Sequence, residues 1–293
     1  MTSSLPFVVD RGRGEPVLLV HGQPGLGSDW AAVTERLPDH RVLVVDRPGY
    51  GRSGDAPVSM DENALMLGEL LEQRAAAPAT VVGHSYGGGV AILLAARRPD
   101  LVGGLVLVGS TGRADGLNGF DRVLAAPVVG DAVSAAGLFA LGHLLPRLRT
   151  AAGTRPQRGF EWLRASLPDA SYEKVSAPVG RRVWRSFVAE QRWLLREIGD
   201  VEAALPAVEA PTVVVSGAWD LVVAPSVSAA IAAAIPGSQL VSVARTGHFV
   251  PRDAPEVVVS AVRSVEARRR MVSGDGDGGG RGTAAGERRD QGA

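Results

Sequence analysis

The stretch Ala79 to Ala96, A-T-V-V-G-H-S-Y-G-G-G-V-A-I-L-L-A-A, passes from a β-branched run (Thr80, Val81, Val82) to a helix-forming run (Val90 to Ala96) with no room for a loop. A strand that feeds so directly into a helix belongs to a sheet covered by helices, and this junction constrains the chain more than any other feature. The residue on the corner, Ser85, is forced into a strained backbone conformation with its hydroxyl pushed outward. Gly83 and Gly87, two residues to either side, let neighbouring backbone pass, and Gly88 and Gly89 let the helix sit close to the sheet. The helix N-terminus then directs its free amides and positive dipole end at whatever Ser85 attacks. As five letters, G-x-S-x-G also describes a glycine-rich turn, so its surroundings have to decide.

Those surroundings repeat one rhythm. Val17–Val20, Val42–Val45, Leu105–Val108 and Thr212–Ser216 are short unbroken apolar runs, the pattern of strands buried on both faces of a parallel sheet. Phe7–Val9 and Gln239–Val243 are further strand candidates. Helical patterns stand between them: one to Arg36 that Ser28 or Asp29 can cap, then Asp61–Ala76, Ser226–Ala234 and a last one from Pro255 to about Arg270. The expected fold class is α/β, with a mostly parallel central sheet flanked by helices. From Gly112 to about Pro206 no strand is recognisable, only helical segments at Arg122–Leu145, Gly159–Leu167 and Arg182–Ile198. An insertion that long is more than a connection and should form a helical lid over one edge of the sheet. The expected organisation is therefore a core of residues 1–111 and 207–270, a cap of residues 112–206, and a tail of residues 271–293 too rich in glycine and charge to bury anything.

Composition narrows the chemistry. The chain has 31 basic and 31 acidic residues, so there is no electrostatic case for a nucleic-acid partner. It has no cysteine, which excludes disulfides, thiolate metal sites and a cysteine nucleophile, and which fits the cytoplasm. Lys174 is its only lysine, leaving little scope for Schiff-base or P-loop chemistry. Met1 to Asp10 lacks the basic and apolar segments of a signal peptide, and no window approaches the roughly 20 apolar residues of a membrane helix. Gly49-Tyr50-Gly51-Arg52-Ser53-Gly54 matches the dinucleotide fingerprint G-x-G-x-x-G, but Asp55-Ala56-Pro57 prolongs a loop where that fingerprint needs a helix. Neither a cofactor nor a metal is expected.

A serine is a poor nucleophile unless a base takes its proton and a third group orients the base. Of five histidines, His84 adjoins Ser85 and should point away into packing, His21 ends a strand, His40 lies in an exposed-looking turn and His143 belongs to the insertion. His248 follows the final strand on a short loop, and Asp220 stands just past the strand Thr212–Ser216. Parallel strands deliver their carboxyl ends to one edge, so Ser85, Asp220 and His248 should converge there. Asp115 is a reserve candidate for the acid, and Asp46 is assigned to holding its own loop through the amides of the Pro48-Gly49 turn.

The order Ser85, Asp220, His248 is that of hydrolases built on a strand-turn-helix elbow. Together with His21-Gly22-Gln23-Pro24-Gly25, Asp46-Arg47-Pro48-Gly49-Tyr50-Gly51-Arg52-Ser53, Gly83-His84-Ser85-Tyr86-Gly87, Gly217-Ala218-Trp219-Asp220 and Gly247-His248, it makes the chain resemble the α/β-hydrolase fold superfamily, in its serine-nucleophile branch with a helical lid. The resemblance implies catalytic Ser85, Asp220 and His248, and an oxyanion hole made by the backbone amides of Gln23 and Tyr86. It implies hydrolysis of an ester or related acyl bond in a small-molecule, hydrophobic substrate, with no membrane partner. Gln23-Pro24 is a candidate for a cis bond. Haloalkane dehalogenases and epoxide hydrolases of this fold carry an aspartate at the elbow, so Ser85 argues against both. Gln23 departs from the His-Gly-Gly-Pro-Gly loop of proline iminopeptidases, and the insertion shows no acidic cluster for a substrate's amine. Carbon–carbon bond hydrolysis, cofactor-free haloperoxidase or perhydrolase activity, lyase chemistry and a non-hydrolytic ligand-binding role stay open on the same scaffold. The insertion holds Phe120, Phe139, Phe160, Trp162, Trp184, Phe187 and Trp193, which can pack its own core or line an apolar pocket above Ser85.

Overall fold

Alternate residues of each central strand face opposite apolar layers, and that alternation builds the molecule around its sheet. The computed structural model describes residues 5–54, 56–140 and 183–272. Within them run strands β1 (Val8–Gly12), β2 (Pro16–Val20), β3 (Arg41–Val45), β4 (Ala79–His84), β5 (Val102–Val108), β6 (Thr212–Gly217) and β7 (Gln239–Val243). They form one sheet in the order β1-β3-β2-β4-β5-β6-β7. Only β1 is antiparallel to its neighbour, and all the other pairings are parallel. The architecture is the mostly parallel, helix-flanked α/β sheet expected from the sequence.

The described helices are α1 (Ala31–Thr34), α2 (Met60–Gln73), α3 (Tyr86–Arg97), α4 (Gly119–Ala125), α5 (Val129–Phe139), α6 (Val183–Ala204), α7 (Pro225–Ala234), α8 (Val250–Asp253) and α9 (Pro255–Val272). On one face of the sheet Leu18, Val20, Val81, Leu105 and Leu107 pack with residues of α2, α3 and α7. On the other, Val17, Leu19, Val82, Val106 and Val108 pack with Trp30, Val33 and the α9 residues Val258, Val262 and Val265. Each such side chain contributes about 1.5–3 kcal/mol on leaving water, so the short strands are held by their two apolar covers as well as by their hydrogen bonds. Ser59 starts α2 as its cap, accepting a hydrogen bond from the Glu62 amide at 3.1 Å.

Among its described residues, the insertion departs from its predicted elements in two places. The helix expected at Arg122–Leu145 is, in its described part, two helices, α4 and α5, meeting at 101°, and residues 141–145 lie outside the described ones. Pro127 explains the break: proline disfavours a helical conformation at the residue before it, and Ala126 is extended, with ψ 136°. The helix expected to end at Ile198 continues through Gly199 to Ala204. Glycine costs a helix about 1 kcal/mol, which burial of Val201 and Ile198 in the α3 layer outweighs. Gly159–Leu167, and with it Phe160 and Trp162, lies outside the described residues, as do His143 and Lys174. Phe120 and Phe139 are exposed, whereas Trp184, Phe187 and Trp193 are half-buried. At the other end, α9 carries through Met271 and Val272, which composition assigns to the tail. Residues 273–293 lie outside the described ones.

Among the described histidines, one is placed differently from expectation. His40 is buried rather than exposed, because α9 covers its turn and brings Glu266 Oε2 to 3.2 Å from His40 Nε2.

Candidate active site

The junction between β4 and α3 has the strain expected of it. Ser85 sits at φ 53°, ψ −122°, a left-handed conformation that costs a non-glycine residue about 1–3 kcal/mol. Backbone hydrogen bonds on both sides impose it. The Ser85 amide donates to the Val108 carbonyl at 3.0 Å, while its own carbonyl accepts from Gly88 N at 2.9 Å and Thr111 N at 3.1 Å. The flanking glycines are needed for space: a β-carbon on Gly83 would lie 2.5 Å from the Gly87 carbonyl oxygen, and one on Gly87 would run into the carbonyls of Val20 and His21. Tyr86 opens α3, so its amide has no partner within the helix.

Two loops from neighbouring strands bring Asp220 and His248 to the same edge. Ala218 N and Trp219 N donate to the carbonyls of Val243 and Thr246, both at 2.9 Å, which pins the turn after β6 to the loop after β7. Asp220 Oδ2 lies 2.8 Å from His248 Nδ1. Its other oxygen accepts from the amides of Val222 and Val223 at 2.8 and 2.9 Å. Both side chains are buried. With Nδ1 donating to Asp220, the imidazole keeps Nε2 as its free acceptor, the arrangement a general base requires.

His84 is in packing, and its packing partner is His248, the residue expected to act as base. Its ring centroid is 4.7 Å from that of His248, and its Nε2 donates to the His248 carbonyl at 3.0 Å. Burial, reinforced by the charge His248 can carry, lowers the His84 pKa from 6.5 to about 3, so this ring is neutral. The residue next to Ser85 thus buttresses the loop that carries His248.

The loop His21-Gly22-Gln23 lies against the serine: a β-carbon on Gly22 would come within 2.9 Å of Ser85 Cβ. The Gln23–Pro24 peptide bond is cis. Four residues hold this loop: Glu190 and Gln191, which the sequence reading did not single out, and Arg47 and Tyr50, which it quoted only as part of a motif. Arg47 Nε donates to the His21 carbonyl at 2.9 Å and Arg47 Nη2 to the Gly22 carbonyl at 2.8 Å. The guanidinium is paired with Glu190 of α6, and the Tyr50 hydroxyl donates to Glu190 Oε2 at 2.6 Å. Gln191 Oε1 accepts from Gln23 Nε2 at 2.5 Å. Arg47, Tyr50 and Glu190 are fully buried; desolvation raises the Glu190 pKa against the opposing pull of Arg47, and raises that of Tyr50. Burial together with Arg47 lowers that of His21. A signal did exist in the sequence: Glu190 falls on the helical stripe of Ser186 and Leu194, where a carboxylate is out of place unless it is paired.

The two other acids separate cleanly. Asp115 is exposed and paired with Arg113 at 2.9 Å, whereas the buried imidazole is bonded to Asp220. Asp46 does hold its loop, but through the amides of Arg52 at 3.0 Å and of Gly27 at 2.8 Å rather than through the Pro48-Gly49 turn, where proline has no N–H to give and the chain turns back over the carboxylate only at Gly51. Among the described residues no group of three His, Cys, Asp or Glu side chains could hold a metal ion.

Residues 17–261 match the family model described as "Alpha/beta hydrolase family". Among curated proteins, the chain is 31% identical over 262 residues to lipase LipV of Mycobacterium tuberculosis, covering 85% of this chain and 92% of the relative. It is 29% identical over 266 residues to haloalkane dehalogenase 2 of the same organism, covering 87% and 88% respectively. Among solved structures it superposes on a thermophilic esterase from Thermogutta terrifontis with a TM-score of 0.68 and 28% identity, covering 90% of this chain and 93% of the other.

Proposed function

The chain belongs to the alpha/beta hydrolase family, and from that premise we propose that it is a serine hydrolase that cleaves an ester or related acyl bond of a small hydrophobic substrate through an acyl-enzyme. The observation that carries this reading is the buried Asp220–His248 pair, 2.8 Å apart, at the same sheet edge as the strained Ser85. His248 Nε2 takes the Ser85 proton as Oγ attacks the carbonyl carbon. Asp220 fixes the imidazole tautomer and stabilises the imidazolium that forms. The resulting oxyanion is held by the amides of Tyr86 and Gln23, and the tetrahedral species collapses as His248 returns the proton to the leaving alcohol. Water, deprotonated by the same imidazole, then releases the acid and restores Ser85. Each oxyanion donor is worth about 2.7–4 kcal/mol of barrier.

Ser85 supports acyl chemistry over alkyl-halide chemistry, although a haloalkane dehalogenase is among the relatives, because serine attack on a carbonyl leaves an ester that water can open, whereas attack on an alkyl halide would expel halide and leave an ether that water cannot. The aromatic residues of the insertion support an apolar substrate. The test is steady-state turnover of aryl esters of graded acyl length beside a vinylogous diketone, with Ser85→Ala as control. Turnover of esters that vanishes in Ser85→Ala is expected. Turnover of the diketone alone would replace ester hydrolysis with carbon–carbon bond hydrolysis, and ester turnover that survives Ser85→Ala would refute the mechanism.

A further inference from the structure

The Gly22 carbonyl and the Gln23 amide belong to one peptide group. The described cis bonds are Gln23–Pro24 and Ala77–Pro78, so this one is trans, and its C=O and N–H point in opposite directions. Whatever grips the carbonyl therefore aims the amide. The grip here is a charged one: Arg47 Nη2 donates to Gly22 O at 2.8 Å, with His21 Nδ1 also at 2.8 Å from the same oxygen. Arg47 Nε holds the preceding carbonyl, that of His21, at 2.9 Å, which fixes the peptide plane from a second point. A cation on the carbonyl also draws electron density through the amide and makes its N–H a stronger donor.

The guanidinium is itself anchored from the insertion. Glu190 of α6 pairs with it, the Tyr50 hydroxyl completes the carboxylate, and Arg47 stacks near the rings of Tyr50 and Tyr86 at 5.1 and 4.7 Å. The next residue of α6, Gln191, holds the Gln23 side chain. An ion pair this buried is weak evidence of a stabilising role, because well-packed apolar residues often serve stability as well or better. Its position behind the Gly22–Gln23 peptide gives it another role.

We infer that Arg47, held by Glu190, is a positioning residue that aims and polarises the Gln23 amide toward the oxyanion, so that α6 of the insertion controls transition-state binding. This rests on the reading of Ser85 as nucleophile and of the Gln23 amide as oxyanion donor. It predicts a loss confined to the transition state: an amide that is misaimed binds the ground-state ester as before and fails only when charge develops on the oxygen.

The experiment compares wild type, Arg47→Lys and the double variant Arg47→Met with Glu190→Met, which removes both charges together and so leaves none buried alone. Hydrolysis of p-nitrophenyl butyrate gives kcat and KM, and inhibition by phenyl trifluoromethyl ketone, whose serine adduct carries an oxyanion, gives Ki. Circular dichroism and urea midpoints establish that each variant is folded. The double variant should lose about 10- to 100-fold in kcat with KM within about threefold, and its Ki should weaken in parallel with kcat/KM. Arg47→Lys, which keeps the charge without the fork, should fall between the two, and it decides by the same split if the double variant does not fold. A folded variant with kcat within about twofold of wild type, or a loss confined to KM, overturns the inference. An active wild type with unaffected variants refutes the positioning role alone, whereas a wild type that neither turns over the ester nor forms the adduct refutes the serine-hydrolase reading and this inference with it.

Discussion

The imidazole of His84 lies 4.7 Å from that of His248 and donates to its carbonyl at 3.0 Å. The pair cannot readily carry two positive charges, and burial holds the His84 pKa at about 3 in the fold against 6.5 for a free side chain. Between those values the unfolded chain binds a proton that the fold refuses. Stability is therefore intact above pH 6.5 and falls as pH drops toward 3, by up to about 1.4 kcal/mol per pH unit from this group. His84→Asn should weaken the protein at neutral pH yet decline less steeply on acidification. Urea midpoints of both proteins from neutral pH down to the acid limit of folding will show this, and parallel slopes would remove His84 as the cause.

Asp220 and Asp115 make opposite predictions. Asp220 is buried and bonded to His248 and two amides, so Asp220→Asn should leave the fold standing but turn the amide's N–H toward Nδ1, forcing the wrong tautomer. Activity should fall by about 10⁴-fold, as it does where a triad aspartate is changed in this way. Asp115→Asn removes only an exposed pair with Arg113, and kcat/KM should stay within about twofold. Kinetics of the two variants side by side decides the acid, and the reverse pattern would move the assignment to Asp115.

Gly87→Ala tests the elbow as a packing problem. The added carbon meets the carbonyls of Val20 and His21, rigid backbone that cannot swing away. Either β2 and α3 separate or the elbow deforms, at a cost of about 1–3 kcal/mol or more. A fall in melting temperature together with lost activity is expected, and an unchanged thermal midpoint would mean that the close approach of α3 to β2 is dispensable.

The sheet, the elbow and the order of Ser85, Asp220 and His248 could be read from the chain because each is written locally. Apolar runs ending at Gly22, Asp46, Gly109 and Gly217 declare buried strands, and parallel topology takes their ends to one edge. The bend at Pro127 was also local, but the apolar pattern runs on to either side of it and hides the proline's effect. The continuation of α6 past Gly199 was not local, since it depends on Val201 finding the α3 layer. Least legible were the pairs that only folding brings together: Arg47 meets Glu190 across 143 positions, and His40 meets Glu266 across 226. Nothing near either residue in the sequence announces its partner, and Glu190 betrays itself only as a charge on a buried stripe.

The central claim is that Ser85 Oγ is the nucleophile, and a fluorophosphonate probe read by intact mass tests it most directly. The native protein should gain one adduct, mapped by peptide sequencing to Ser85, and Ser85→Ala should gain none. A native protein that stays unlabelled, or a Ser85→Ala variant labelled as fully as the wild type, would contradict the account.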